Sequence, residues 1–184
     1  MRAAIGVLSD YTVQNFVRRM VFELSQRYAI PFIGSLLPAH VSLKQPFVFE
    51  SMPVLEDFFA SLAKRIQPFE IILDEIYLSE GIDFGILGLN VKDTGRLREL
   101  HNLLNRELSE LVENPAAEHD GEGYHFHLTI ELGRFEGANP YRSYFESLAN
   151  KTVDLSFQAG ELALFYYTGE PVQFITYKIL PLSG

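Results

Sequence analysis

Cysteine is missing altogether from the 184 residues. Its absence excludes disulfides, thiolate metal sites and a cysteine nucleophile, and fits a reducing, cytoplasmic setting. Long apolar runs are missing as well. No stretch approaches the ~20 residues of a membrane-spanning helix, so no membrane association is expected. The first residues carry one arginine and pass straight into an alternating pattern, which does not read as a secretory signal. Positive charge is scarce: 15 Lys and Arg stand against 24 Asp and Glu, for a formal net charge of −9. Tight binding of long nucleic acid rests on basic surface, so no grip on extended duplexes is expected. A small phosphorylated ligand, or a terminus held in a local pocket, is not excluded by that charge.

What the chain does contain is apolar matter, 47% of its residues, including 15 Phe and 9 Tyr. Its length suits one compact domain or two small lobes sharing a core, and is compatible with a monomer without fixing the oligomeric state. Ala3 to Leu8 alternates as a strand, and Asp10 is placed to cap a helix marked by Val13, Phe16, Val17, Met20, Val21, Leu24 and Tyr28. Pro31 and Pro38 bracket a connection into a strand at His40, and Leu55, Phe58, Phe59 and Leu62 mark a second helix. Strands at Phe69–Leu78 and Phe84–Val91 are joined by a turn at Ser79-Glu80-Gly81.

The order then begins again. Asp93 or Thr94 caps a helix with Leu97, Leu100, Leu104, Leu108 and Leu111 on one face, and a polar loop, 113–123, leads to a strand at Tyr124–Leu132. A helix with Tyr141, Tyr144, Phe145 and Leu148 follows, then strands around Val153–Tyr167 and Val172–Leu180. Leu55 and Tyr141 lie 86 positions apart (141 − 55), and Phe69 and Val153 lie 84 apart (153 − 69). The nearly constant offset predicts an internal duplication, about 1–83 and 84–184, within a single bilobal domain. The expected fold class is α+β: two pseudo-symmetric units with mostly antiparallel sheets around a central cleft, helices outside.

Two short stretches carry the chemistry. In Tyr124-His125-Phe126-His127-Leu128-Thr129-Ile130-Glu131-Leu132, alternation puts His125, His127, Thr129 and Glu131 on one face. In His40-Val41-Ser42-Leu43, the histidine and serine likewise share a face. The two histidines stand 87 residues apart (127 − 40), in register with the surrounding elements. Cleaving a phosphodiester in line requires a base on one side and an acid on the other, and an imidazole with an ordinary pKa near 6.5 serves either way. A hydroxyl two residues on can donate to the phosphate oxygens that gain charge in the transition state.

His40-Val41-Ser42-Leu43 and His127-Leu128-Thr129-Ile130 resemble the two His-x-Ser/Thr-x motifs of the 2H phosphoesterase superfamily, and in particular its 2′-5′ RNA ligase-like (LigT-like) branch. Motif separation, length and duplicated order all fit, so the resemblance covers nearly the whole chain. It implies a bilobal fold with both motifs in a central cleft. It also implies metal-independent action, without a cofactor, on 2′,3′-cyclic phosphates or 2′-5′ linkages of nucleotides or RNA ends. His40 and His127 become the acid/base pair, and Ser42 and Thr129 the phosphate donors. The chain departs from the RNA-end-processing members at Lys44-Gln45-Pro46-Phe47, where those often carry a Phe-Leu-Gly-like turn.

Other residues stay open at this level. Lys44 and Glu131, four past the motif histidines, are expected on the same faces; Lys44 either adds charge near the phosphate or sits in solvent at a strand end. His125 is either the cleft-edge neighbour of His127 or a metal ligand, with His40 or Glu131 as third partners. Of Tyr166 and Tyr167, on opposite faces of a late strand, one stacks on a base or both pack in the core. His101 reads as a packing or surface histidine and His119 as solvated. Two further classes of function compete with the phosphoesterase: a phosphate- or RNA-binding module without turnover, and a histidine-based metalloenzyme.

Overall fold

A computed structural model describes residues 1–30, 36–92, 95–112, 120–148, 152–167, 169 and 174–184. The elements run β1 (Arg2–Leu8), α1 (Tyr11–Tyr28), β2 (His40–Val48), α2 (Met52–Arg65), β3 (Phe69–Glu80), β4 (Phe84–Lys92), α3 (Arg96–Leu108), β5 (His127–Arg134), α4 (Pro140–Ser147), β6 (Leu155–Ala159), β7 (Glu161–Tyr167) and β8 (Phe174–Pro181). Local chemistry explains several boundaries. The Asp10 carboxylate accepts the Val13 N–H at 2.9 Å at the start of α1, and Ala29 ends that helix in a left-handed conformation. Asn139 caps α4 in the same way, accepting from Tyr141 and Arg142, with Pro140 in the first turn. The expected caps Asp93 and Thr94, with Pro31, His119 and Val172, lie outside the described residues.

The class is α+β. Among the described residues, eight strands form one sheet in the order β6-β3-β4-β5-β2-β1-β7-β8, with antiparallel pairings throughout. The separate sheets expected for two lobes are thus joined edge to edge through β2 and β5. On one side of that junction stand β2, β1, β7 and β8; on the other stand β5, β4, β3 and β6. β3 comes from the first half of the sequence yet pairs with β4 and β6, so the chain crosses between sides.

The apolar faces of all four helices meet one face of the sheet in a single core containing Ile5, Val41, Leu43, Leu87, Leu128 and Ile130. A small separate cluster, Ala4, Leu8, Ala163 and Phe165, lies on the opposite face of β1 and β7. No described helix is long and apolar enough to cross a membrane.

Candidate active site

The two motif strands are neighbours at the centre of the sheet, and they pair at Val41 with Leu128. Both of those side chains are fully buried in the helix-covered core. Alternation therefore turns His40, Ser42, His127 and Thr129 to the other face, where all four are partly buried. Extending the register by one residue each way sets His40 across from Thr129 and Ser42 across from His127. Each imidazole thus lies beside the other motif's hydroxyl.

Both imidazoles are anchored alike. His40 Nδ1 lies 2.8 Å from the Pro38 carbonyl, and His127 Nδ1 lies 3.0 Å from the His125 carbonyl. A carbonyl only accepts, so each Nδ1 carries the proton and each Nε2 is left to take or give one. Burial pushes the His40 pKa down to about 4; its bond to Pro38 opposes this, and the nearby charge of His127 adds to it. His127 is also lowered, first by burial, against its bond to the His125 carbonyl, and with a contribution from the His125 charge. An anion between the rings would raise both values, because it stabilises the imidazolium.

Two glycines make room for this arrangement. Gly6 pairs with Ser42, and Gly88 pairs with Thr129. A Cβ at Gly6 would meet the Val41 carbonyl oxygen at 2.8 Å and His40 Cδ2 at 3.2 Å. One at Gly88 would run into Tyr77 Cε1 and meet the Leu128 carbonyl oxygen at 3.0 Å. An aromatic ring then abuts each histidine: Phe165 lies 4.3 Å from His40, and Tyr77 lies 5.5 Å from His127, centroid to centroid. Sequence reasoning missed all four of these residues. The available signal was a glycine inside each of two strand patterns, Gly6 within Ala3–Leu8 and Gly88 within Phe84–Val91.

Other expectations require correction. Lys44 is not on the histidine face. Gly6 pairs with Ser42 but Ile5 with Lys44, so Leu43 is an extra, bulged residue and Lys44 turns to the core side with Ile5. There it is fully buried, and its ammonium pairs with the Asp120 carboxylate. Glu131 repeats the event: Gly88 pairs with Thr129 and Leu87 with Glu131, leaving Ile130 as the bulge and Glu131 fully buried. This removes Glu131 as a metal partner for His125 and His127. Among the described residues no group of three or more His, Asp or Glu stands together as a metal site. Tyr166 is also displaced from the cleft: it pairs with Ala3 on the core side and packs 6.4 Å from Phe49. Tyr167, on the other face, packs against Phe174.

His125 precedes β5 rather than opening it. Its exposed ring lies 5.7 Å from that of His127, and its Nε2 is 3.1 Å from Asn90 Oδ1. His101 is a buried packing residue. Its Nδ1 donates to the Leu43 carbonyl at the bulge, and its Nε2 accepts from the Gly121 N–H. Beside it, the Tyr124 hydroxyl donates to the Ser42 carbonyl at 3.2 Å, tying the approach to β5 onto the first motif.

The sequence model of the 2′-5′ RNA ligase superfamily matches residues 12–171. No curated protein matches in a sequence search. Among solved structures, E. coli LigT complexed with 3′-AMP has a TM-score of 0.61 at 16% identity, over 100% of this chain and 98% of that one. TT0787 of Thermus thermophilus has a TM-score of 0.59 at 16% identity, over 100% and 99% of the two chains. Usb1 of Kluyveromyces marxianus has 0.59 at 13% identity, over 98% and 97%. At such identities the likeness is one of fold.

Proposed function

The chain belongs to the 2′-5′ RNA ligase superfamily, a 2H phosphoesterase family, and on that footing we propose that it is a metal-independent phosphoesterase. Its substrates are 2′,3′-cyclic phosphates or 2′-5′ linkages of nucleotides or RNA ends, and it works as one bilobal domain with repeats at about 1–83 and 84–184. One observation carries the reading: His40 with Ser42 and His127 with Thr129 share one face of adjacent strands, each imidazole held through Nδ1.

The chemistry follows from those atoms. With a 2′,3′-cyclic phosphate between the rings, one neutral Nε2 takes a proton from water as the water oxygen attacks phosphorus. The bond from phosphorus to one ribose oxygen breaks, and the other imidazole, protonated, gives its Nε2 proton to that oxygen. The product is a phosphomonoester beside a free hydroxyl. The phosphate's own charge supplies the protonated partner by raising a pKa that burial had lowered. Ser42 and Thr129 donate to the non-bridging oxygens. Nothing in this sequence of proton transfers calls for a metal. A nucleotide-sized ligand agrees with the similar E. coli LigT, which has been crystallised with 3′-AMP, ATP and NADP+.

The test is a panel of 2′,3′-cyclic mononucleotides, cyclic-ended RNA and 2′-5′ dinucleotides assayed with EDTA present. Turnover of at least one is expected to survive the chelator, and His40→Ala and His127→Ala should each remove all but about 1% of it. Near-normal turnover in both variants, or a requirement for added metal, would sink the proposal.

A further inference from the structure

The two motifs match in backbone but not in surroundings. Two residues before each motif histidine stands the carbonyl that anchors it, from Pro38 on one side and His125 on the other. The cross-strand partner of His40 is Leu8, whereas that of His127 is Asn90. The ring against His40 is Phe165, and that against His127 is Tyr77. At all three places the His40 side is apolar and the His127 side can hydrogen-bond.

The His127 side is also built to hold a ring still. With Asn90 oriented as described, His125 Nε2 donates to its Oδ1 at 3.1 Å. Tyr77 meets the His125 ring edge-on, at 5.3 Å and 86°, and the His127 ring lies nearly parallel to it, at 5.7 Å and 27°. An exposed side chain ordinarily keeps its rotamer freedom. Here an exposed imidazole is clamped on several sides with ring surface still open to solvent. The fixed ring lies beside the ring of His127.

From this juxtaposition we infer that His125, clamped by Asn90 and Tyr77, is a stacking platform for the nucleobase of the substrate. The base therefore lies on the His127 side of the phosphate, and not on the apolar His40 side. Asn90 Nδ2, on the amide whose oxygen holds His125, is placed to donate to an acceptor on the base edge. The inference rests on the phosphoesterase reading for where the phosphate sits, and it makes His125 a binding residue rather than an acid or base.

The test compares two substrates. For adenosine 2′,3′-cyclic phosphate, His125→Ala should raise KM about tenfold, the scale of one base–aromatic stack, with kcat within twofold. His125→Phe should restore most of the loss, since it keeps the ring. For the base-free probe glycerol 1,2-cyclic phosphate, neither variant should change KM. An unchanged nucleotide KM, or an equal loss on the base-free probe, would overturn the platform. Calorimetric titration of adenosine 2′,3′-cyclic phosphate into the His40→Ala protein, with and without His125→Ala, separates this inference from the catalytic one. Affinity weakened about tenfold by His125→Ala supports the platform even if the wild-type chain turns over no cyclic phosphate. Equal affinities, or no binding at all, would refute it.

Discussion

Gly6→Ala adds a single methyl group, yet it should damage the site without touching a motif residue. The added methyl would sit 2.8 Å from the Val41 carbonyl oxygen and 3.2 Å from His40 Cδ2, with Phe165 Cε2 at 3.3 Å. Ordinary van der Waals contact begins near 3.4 Å. The backbone oxygen must therefore give way by roughly 0.6 Å, or β1 must move off β2 by as much. That carbonyl belongs to the residue between His40 and Ser42, so the displacement passes directly to both. Overpacking of this kind costs about 1–3 kcal/mol, which lowers Tm by roughly 3–10 °C in a chain of this size. The functional loss should be larger than the fraction unfolded explains. A misplacement approaching 1 Å lowers the rate up to about a hundredfold, so kcat/KM for a cyclic nucleotide should fall at least about tenfold at 25 °C. Gly160→Ala is the control, since a Cβ there meets nothing within 4 Å. Melting curves and initial rates on the three proteins decide the matter. Wild-type kcat/KM in Gly6→Ala, or an equal loss in Gly160→Ala, would refute the reasoning.

Three further outcomes are expected. His40 stays neutral in the folded chain down to about pH 4, whereas an unfolded histidine takes a proton near pH 6.5. Between those values the unfolded chain binds more protons, so stability rises with pH across the window and about 3 kcal/mol is lost on acidifying through it. Urea midpoints from pH 4 to 8 should show a shallower slope for His40→Gln, and parallel curves would contradict the assignment. Lys44→Met leaves the buried Asp120 carboxylate without its ammonium, at about 3–5 kcal/mol of stability; adding Asp120→Leu should recover most of it, and an unmoved urea midpoint in the single variant would deny the pair its weight. Ser42→Ala and Thr129→Ala should each lower kcat by roughly a hundredfold with Tm nearly unchanged, Thr129→Ser keeping most of the activity; undiminished kcat in both would remove the hydroxyls from the phosphate.

Much of this architecture could be read from periodicity because the elements obey local rules. The α1 pattern Val13, Val17, Met20, Val21 and Leu24 is the buried face found in the structure, and Asp10 makes the capping bond its position promised. The core side chains Val41 and Leu128 fell on the expected face because a strand has a period of two. Joining everything into one sheet was not legible, since a single strand pair, Val41 with Leu128, makes the junction and no local pattern encodes which strands become neighbours. The crossing of β3 to the other side was hidden for the same reason.

The misplaced residues share one cause, and it bears on the site itself. Period-two reasoning carried Lys44 and Glu131 onto the histidine face, and in both strands it failed one residue after the hydroxyl, at Leu43 and Ile130. A bulge at each point shifts the following residue to the other face and sharpens the local twist. Had the strands stayed regular, an ammonium and a carboxylate would have flanked the two imidazoles. The carboxylate would have repelled an incoming phosphate and raised the pKa of its neighbour. With the bulges, each motif face presents a histidine and a hydroxyl, and the charged residue that follows serves the core. Lys44 then joins Asp120 there, next to His101, which bonds to the bulged Leu43 carbonyl, so the irregularity that clears the site is itself held by buried polar contacts. Extending Lys44 back toward the histidine face would require breaking both.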